Sequence, residues 1–189
     1  LRDILLGREP LDWDLAADAR PDRLMELFPG AVYENQFGTV AVRVDGDLIE
    51  ITTFRTDHEY ADFRRPHRVE FGDSIENDLA RRDFTVNAMA WGTSPTTHPD
   101  PGRGDRAAGP ELLDPHGGLA DLEARVLRAV GDPRVRFEED ALRMIRAARL
   151  AATLAFEVEA GTLDAIQVRS GLVAHLSGER LGAELGKLL

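Results

Sequence analysis

The chain changes character near residue 125. Before this point short β-like runs alternate with helical segments and turns, and after it the apolar residues follow helical spacing. The charge changes at the same place, because residues 126–189 hold nine basic and nine acidic residues while residues 1–125 carry the whole net charge of −11. This pattern predicts an α+β part over residues 1–125, followed by an all-α part over residues 126–189.

Composition narrows the classes of protein to which this chain can belong. Apolar residues make up 43% and charged residues 30%, values within the range of folded globular domains. No apolar run reaches the roughly 18 residues of a membrane span, so no membrane partner is expected. The sequence has no cysteine, which excludes disulfides and thiolate metal sites and fits a cytoplasmic protein. The net negative charge excludes a domain that holds nucleic acid by bulk charge alone.

Arginine supplies 22 of the 23 basic residues, and Lys187 is the single lysine. Codon bias in a GC-rich genome explains such an excess. The alternative is a requirement for planar guanidinium groups, which bind phosphates and base edges through paired hydrogen bonds. The chain also begins without methionine and ends in a helical-looking stretch, so we expect it to be part of a longer protein.

Turn residues and hydrophobic spacing predict the local elements. The Asp45-Gly46-Asp47 segment lies between two β-like runs and is typical of a hairpin turn. We predict strands over 11–15, 39–44, 48–54 and 84–91, helices over 22–28, 137–152, 162–170 and from Ser177 onward, and a surface loop over 92–110.

Three acidic residues lie in the first β-like runs. Asp12 and Asp14 alternate on one predicted strand, so their side chains share a face with Cα atoms roughly 7 Å apart. Surface or turn acids explain most such pairs when they occur alone. Glu50 interrupts a second apolar run, where it is either a solvent-face residue or the third member of a carboxylate cluster. Three carboxylates on adjacent strands can hold two metal ions.

Two further segments are rich in polar side chains. Residues 78–90 combine Arg81 and Arg82 with Asp83 and Asn87, which suits either a salt-bridged surface turn or a site for a triphosphate and its sugar. Residues 139–149 place a carboxylate and guanidinium groups in steps of three on one predicted helix, as a salt-bridge ladder or as an edge that reads a base. That second set consists of Asp140, Arg143, Arg146 and Arg149.

Taken in order, these segments resemble the class II tRNA nucleotidyltransferase and bacterial poly(A) polymerase family. The resemblance covers nearly the whole chain. It rests on residues 1–8 followed by Asp12 and Asp14, on Glu50, and on the segments 78–90, 113–122, 139–143 and 177–189.

The resemblance implies a fold and a set of residue roles. It implies a polymerase-β-type nucleotidyltransferase head, with a mixed sheet and flanking helices, over residues 1–125 and an all-α neck over residues 126–189. The implied roles are Mg²⁺ binding by Asp12 and Asp14 with Glu50 as third catalytic acid, triphosphate binding by Arg2 and Arg82, ribose contacts by Asp83 and Asn87, and base reading by Asp140 and Arg143 with Arg146 and Arg149 nearby.

The resemblance also implies an activity, which is the addition of CCA to the 3′ end of tRNA from CTP and ATP with release of pyrophosphate. A poly(A) polymerase is the first alternative, but the basic pair that such enzymes carry before residues 35–40 is missing. Partial enzymes that add only CC or only A form the second alternative, and the full-length 55–77 segment argues against the enzymes that add only CC. A non-catalytic RNA-binding module is an alternative of another class, and the presence of all three acids argues against it.

Overall fold

The computed structural model describes residues 1–10, 13–33, 38–61, 65–72, 74–93 and 110–188. The strands are β1 (Asp14–Ala17), β2 (Val32–Tyr33), β3 (Thr39–Val44), β4 (Asp47–Thr53), β5 (Arg55–Ala61), β6 (Arg65–Phe71), β7 (Ala90–Gly92), β8 (Glu111–Leu113), β9 (Val126–Leu127) and β10 (Glu157–Val158). The α-helices are α1 (Arg2–Leu5), α2 (Pro21–Leu27), α3 (Ile75–Ala80), α4 (Gly118–Ala124), α5 (Pro133–Glu139), α6 (Leu142–Leu154), α7 (Ala160–Arg169) and α8 (Gly178–Leu185).

A four-stranded mixed sheet, in the order β1-β4-β3-β2, forms the centre of the first part. Strand β1 runs parallel to β4, whereas β3 is antiparallel to both of its neighbours. Strands β3 and β4 form the predicted hairpin, because Val44 pairs with Asp47 across a two-residue turn. Asp45 and Gly46 both have positive φ, 52° and 101°, as a type I′ turn requires.

Side-chain alternation gives this sheet two different faces. Val40 and Val42 pack with Leu24 of α2 in one buried cluster, to which Ile51 also contributes. Residues one position away point to the opposite face. Asp14 of β1 and Glu50 of β4 lie on that second face, so burial of the valine and isoleucine side chains determines where the two carboxylates point.

The predicted strand over residues 84–91 is wrong for most of its length. Residues Thr85–Asn87 form a 3₁₀ turn, and only β7 at the end is a strand. The carboxylate of Asp83 accepts a hydrogen bond from the N–H of Phe84, and the hydroxyl of Thr85 donates to buried Asp121. Such side-chain bonds compete with a strand ladder and favour a turn.

The predicted helix over residues 137–152 is wrong as a single element. Helix α5 ends at Glu139, Asp140 adopts an extended conformation with φ −148° and ψ 106°, and α6 begins at Leu142. The Asp140 carboxylate accepts the N–H of Leu142 at 3.0 Å, so it provides an acceptor for the new helix start. The helices predicted over 22–28 and 162–170 and from Ser177 onward are confirmed as α2, α7 and α8.

The main hydrophobic core extends across residue 125. Phe84 and Leu122 from the first part pack in one cluster with Leu150 and Phe156 from the second. A backbone hydrogen bond also crosses this point, because the N–H of Thr85 donates to the backbone oxygen of Arg128. Helix α6, together with Ile166 of α7, therefore shares a core with the first part, and the division at residue 125 stays a prediction.

None of the helices in the described ranges combines the length and the apolar composition that a membrane crossing requires. The predicted loop over residues 92–110 lies mostly outside the described residues. Leu11 and Asp12, at the start of the predicted strand over 11–15, also lie outside them.

Glu159 caps α7, and its loss is expected to destabilise the protein by about 1 kcal/mol. Its carboxylate accepts the N–H of Thr162 at 2.8 Å. Hydrogen bonds from the backbone of Gly161 and Thr162, with Arg128 nearby, hold the pKa of Glu159 below its ordinary value near 4.5. Because the folded carboxylate has the lower pKa, its stabilisation is fully present above pH 4.5 and is lost as the pH falls through the folded pKa.

Urea unfolding of Glu159→Ala at pH 7 and at pH 4 measures both effects. We expect the difference in unfolding free energy between wild type and variant to shrink at the lower pH. Glu157→Ala, which removes an exposed acid two residues earlier, is the matched control. An equal loss of stability in both variants would contradict the capping role.

Candidate active site

A cleft of about 1260 Å³ brings together most of the predicted site residues. Its walls come from α1, the start of β1, residues 81–93 and the junction between α5 and α6. The volume lies above the roughly 300–1,000 Å³ of typical small-molecule pockets. The predicted site residues that line it are Arg2, Asp14, Arg82, Asp83, Asn87, Asp140, Arg143 and Arg146.

Two carboxylates lie side by side on the sheet. The parallel register pairs Asp14 of β1 with Glu50 of β4, so their side chains point to the same face from strands roughly 4.8 Å apart. Both are exposed, and in the part of the chain that the structure describes neither has an ion-pair partner. Adjacent carboxylates repel each other, and hard oxygen ligands suit a divalent cation such as Mg²⁺.

The third predicted acid, Asp12, lies outside the described residues. Within those residues the metal-ligand side chains form no cluster of three. The donor set that the structure describes is therefore two carboxylate groups on one face of the sheet, and Asp12 as a ligand stays a prediction.

Asn87 connects two of the predicted site residues. Its side-chain oxygen accepts a hydrogen bond from Nη1 of Arg2 at 2.7 Å, and its amide nitrogen donates to Asp83 at 3.2 Å. Arg2 also pairs with neighbouring Asp3 at 2.9 Å. Asp83 is 8% exposed and pairs with Nε of Arg146 at 2.8 Å. The amide and the two charged partners therefore fix one another at the bottom of the cleft.

Asp78 holds two arginines beside the cleft. Arg81 contacts its carboxylate at 2.7 Å and Arg82 at 3.3 Å, and the Asp78 side chain is almost fully buried. Arg82 also donates to the backbone oxygen of Asn87 at 3.1 Å. One buried carboxylate thus aligns two partly exposed guanidinium groups, which is a suitable arrangement for binding an anion. The sequence contains a local signal for Asp78, since its spacing from the arginines is i+3 and i+4.

The residues predicted in steps of three do not form one ladder. Asp140 lies outside α6, and although Arg143, Arg146 and Arg149 keep their step of three on that helix, each of the four residues meets a different partner. The contacts are Asp140 with Arg180 at 2.8 and 3.1 Å, Arg143 with Glu139 at 2.6 Å, Arg146 with Asp83 at 2.8 Å and Arg149 with Glu184 at 2.6 Å.

These contacts divide the four residues by location. Asp140, Arg143 and Arg146 line the cleft, whereas Arg149 lies outside its lining and joins α6 to α8. Arg143 also donates to the backbone oxygen of Arg81 at 3.1 Å, which ties α6 to the other wall. Of the four residues predicted to form a base-reading edge, only Asp140, Arg143 and Arg146 therefore lie in the cleft.

Arg180 is a cleft-supporting residue that the sequence reasoning missed. It belongs to α8 and makes two hydrogen bonds to the carboxylate of Asp140, forty residues away in the sequence. The two bonds hold the Asp140 side chain in one orientation at the start of α6. No local spacing connects the two residues, so only the folded structure reveals the pair.

Comparison with known proteins identifies one family and relatives that share one name. The family described as the poly A polymerase head domain matches residues 1–128. The CCA-adding enzyme of Bacillus pumilus is 45% identical over the whole chain, and that of Bacillus subtilis is 41% identical. The chain spans about 44% of the length of these curated relatives.

Solved structures show the same similarity. The CCA-adding enzyme of Bacillus stearothermophilus in complex with CTP superimposes with a TM-score of 0.81 at 39% identity, over 99% of this chain and 42% of that one. The Thermotoga maritima CCA-adding enzyme complexed with tRNA superimposes with a TM-score of 0.72 at 29% identity, over 100% of this chain and 40% of that one.

Proposed function

Since this chain belongs to the poly A polymerase head-domain family, we propose that the protein adds CCA to the 3′ end of tRNA. It takes the nucleotides from CTP and ATP and releases pyrophosphate. The observation that carries the proposal is the pairing of Asp14, which lies on the wall of a cleft that arginines line, with Glu50 on the neighbouring strand. The relatives named as CCA-adding enzymes, at 41–45% identity over the whole chain, support the choice of reaction.

We propose the two domains that the sequence predicts, with the metal-binding acids in the first. Residues 1–125 form the nucleotidyltransferase head, and residues 126–189 begin a helical neck. Family membership implies dependence on a divalent metal, and the carboxylate donors favour Mg²⁺. Asp12 and Asp14 would hold the metal ions, with Glu50 as the third acid, and the bound metal would supply activation of the attacking RNA hydroxyl and stabilisation of the leaving pyrophosphate.

The remaining residues bind and orient the substrates. Arg2 and Arg82 bind the triphosphate, an assignment that their position in the cleft and the support from Asp78 favour. Asp83 and Asn87 contact the ribose. Their mutual hydrogen bond, together with the Arg146 pair, keeps both side chains fixed before the nucleotide enters. Such fixed partners reduce the cost of ordering the site when the substrate binds.

Asp140 and Arg143 read the base. A carboxylate accepts and a guanidinium donates, so together they match a base edge that presents both a donor and an acceptor. Arg180 holds Asp140, and Glu139 holds Arg143, so each reading group has its own support. Arg149 supports α8 from outside the cleft rather than contacting the nucleotide.

One incubation tests the proposed reaction. Intact protein is mixed with tRNA that lacks its 3′ CCA, together with Mg²⁺, CTP and ATP, and the products are resolved at single-nucleotide resolution. Addition of C, C and A in that order is the expected result. Products that stop at CC identify a partial enzyme, and long A tails on unrelated RNA identify a poly(A) polymerase. RNA binding without incorporation would indicate a non-catalytic module.

Replacement of Arg143 by alanine is expected to weaken the choice between bases. One lost pair of base contacts is worth about 1–3 kcal/mol of discrimination, or roughly 5- to 160-fold. The measurement is the ratio of kcat/KM for CTP and ATP to that for UTP and GTP. Arg134→Ala is the matched control, because Arg134 pairs with Asp164 on the exposed surface away from the cleft. Unchanged discrimination in Arg143→Ala would refute the base-reading role.

A further inference from the structure

Both tryptophans of the chain are exposed in the same cleft. Trp13 is 62% exposed and Trp91 is 63% exposed, although tryptophan is among the side chains that gain most from burial. Both line the cleft that holds Asp14 and Arg82. Neither contributes to a described core cluster, so neither residue is explained by packing within the described chain.

The charge around the two indoles points to the chemistry of their ligand. Six arginines and four aspartates line the cleft, and Asp78 and Glu139 behind it pair with three of the arginines, so the cleft is close to neutral within a chain of net charge −11. Aromatic faces in an arginine-lined groove are the arrangement with which proteins bind single-stranded nucleic acid, because the bases stack and the phosphates meet the cations.

We propose that Trp13 and Trp91 form a stacking site for the unpaired nucleotides at the 3′ end of the RNA. The inference rests on the proposed function, since it concerns the RNA substrate of that same cleft. The cleft volume of about 1260 Å³ exceeds that of a typical small-molecule pocket and leaves space for RNA nucleotides beside a nucleoside triphosphate.

The positions of the two residues favour the RNA strand over the incoming nucleotide. Trp13 and Asp14 both line the cleft, so the Trp13 indole borders the space through which the RNA 3′ hydroxyl must move to reach a proposed metal-binding residue. Trp91 lies on β7, which follows the Asp83–Asn87 segment at the bottom of the cleft. The incoming base has separate partners in Asp140 and Arg143, so the indole faces are available to the RNA.

The test compares the KM for RNA with the KM for CTP in the intact protein. Trp13→Ala and Trp91→Ala are each expected to raise the KM for a tRNA substrate about fivefold or more, since loss of one stacking partner weakens binding by at least that factor. The KM for CTP is expected to change less than twofold. Trp13→Phe and Trp91→Phe keep a stacking face and are expected to return the RNA KM to within about twofold of wild type.

Tyr33→Ala is the matched control. Tyr33 is an exposed aromatic residue on β2, at the edge of the sheet opposite β1, and does not line the cleft. This variant is expected to leave both KM values unchanged. Circular dichroism melting of every variant checks that the exposed substitutions preserve the fold.

Fluorescence provides a measurement that does not depend on catalysis. Titration with a short single-stranded RNA that ends in CC is expected to quench tryptophan emission, and each Trp→Phe variant is expected to lose part of that quenching. Quenching in a protein that incorporates no nucleotide would overturn the proposed function but not the stacking site. Normal incorporation with an unchanged RNA KM in both alanine variants, or a rise in the CTP KM alone, would overturn the stacking site.

Discussion

Asp14→Asn is expected to lower the rate of nucleotide incorporation a hundredfold or more while leaving the fold intact. Asparagine has nearly the same shape as aspartate but lacks the negative charge, so the variant removes a metal ligand without creating a cavity. Stabilisation of transition-state charge by a bound cation is worth several kcal/mol, and each 1.36 kcal/mol corresponds to a factor of ten in rate. Asp14 is exposed and has no ion-pair partner in the described chain, so its folding contribution is small.

The measurement is single-turnover incorporation of CMP at several Mg²⁺ concentrations, beside the thermal melting of each protein. Asp47→Asn is the matched control, because Asp47 is an exposed acid at the start of the β4 strand, three residues before Glu50. We expect this control to match wild type in both measurements. Incorporation by Asp14→Asn within a few-fold of wild type would remove Asp14 from the metal site.

The carboxylate pair and the hairpin are predictable because both depend on strand alternation. Asp45 and Gly46 suit the positive φ angles of their turn, which fixes the register of β3 against β4. With that register, the partly buried Ile49 and Ile51 lie on one face and the Glu50 carboxylate lies on the other. The identity of the two turn residues and the two-residue alternation of a strand are sufficient to predict these features.

Hydrophobic spacing does not reveal the break between α5 and α6 at Asp140. Phe137, Ala141 and Met144 all pack in one buried cluster, so the apolar spacing continues across the interruption as if one helix were present. What ends α5 is a polar side chain that accepts the N–H of Leu142. A hydrophobic period reports which face is buried and not whether the backbone hydrogen bonds are continuous.

The spacing of residues along one helix does not predict the long-range partners of Arg149 and Asp140. Arg149 fits the same step of three as Arg143 and Arg146, but its ion pair with Glu184 crosses to another helix. Arg180 likewise reaches Asp140 from α8. Pairs separated by 35 or more residues follow from how the helices pack, which the sequence alone does not specify.

The Arg149–Glu184 pair has the largest expected effect on stability. The Glu184 side chain is 4% exposed and that of Arg149 is 14% exposed, and Nε of Arg149 lies 2.6 Å from Oε1 of Glu184. Glu184→Ala leaves the guanidinium group buried without its partner, and breaking a buried ion pair in this way costs about 3–5 kcal/mol. Glu179→Ala, an exposed acid in the first turn of α8, is the matched control. Urea unfolding monitored by circular dichroism measures the difference.

The double variant Arg149→Met with Glu184→Leu separates a lost charge partner from a lost helix contact. Replacement of both charges by apolar side chains of similar size is often neutral, so we expect most of the stability to return. Because α8 also carries Arg180, the single variant Glu184→Ala is further expected to loosen Asp140 and reduce discrimination among bases, whereas the double variant restores it. A double variant as unstable as Glu184→Ala would show that the ion pair itself, rather than the packing of α6 against α8, holds this helix in place.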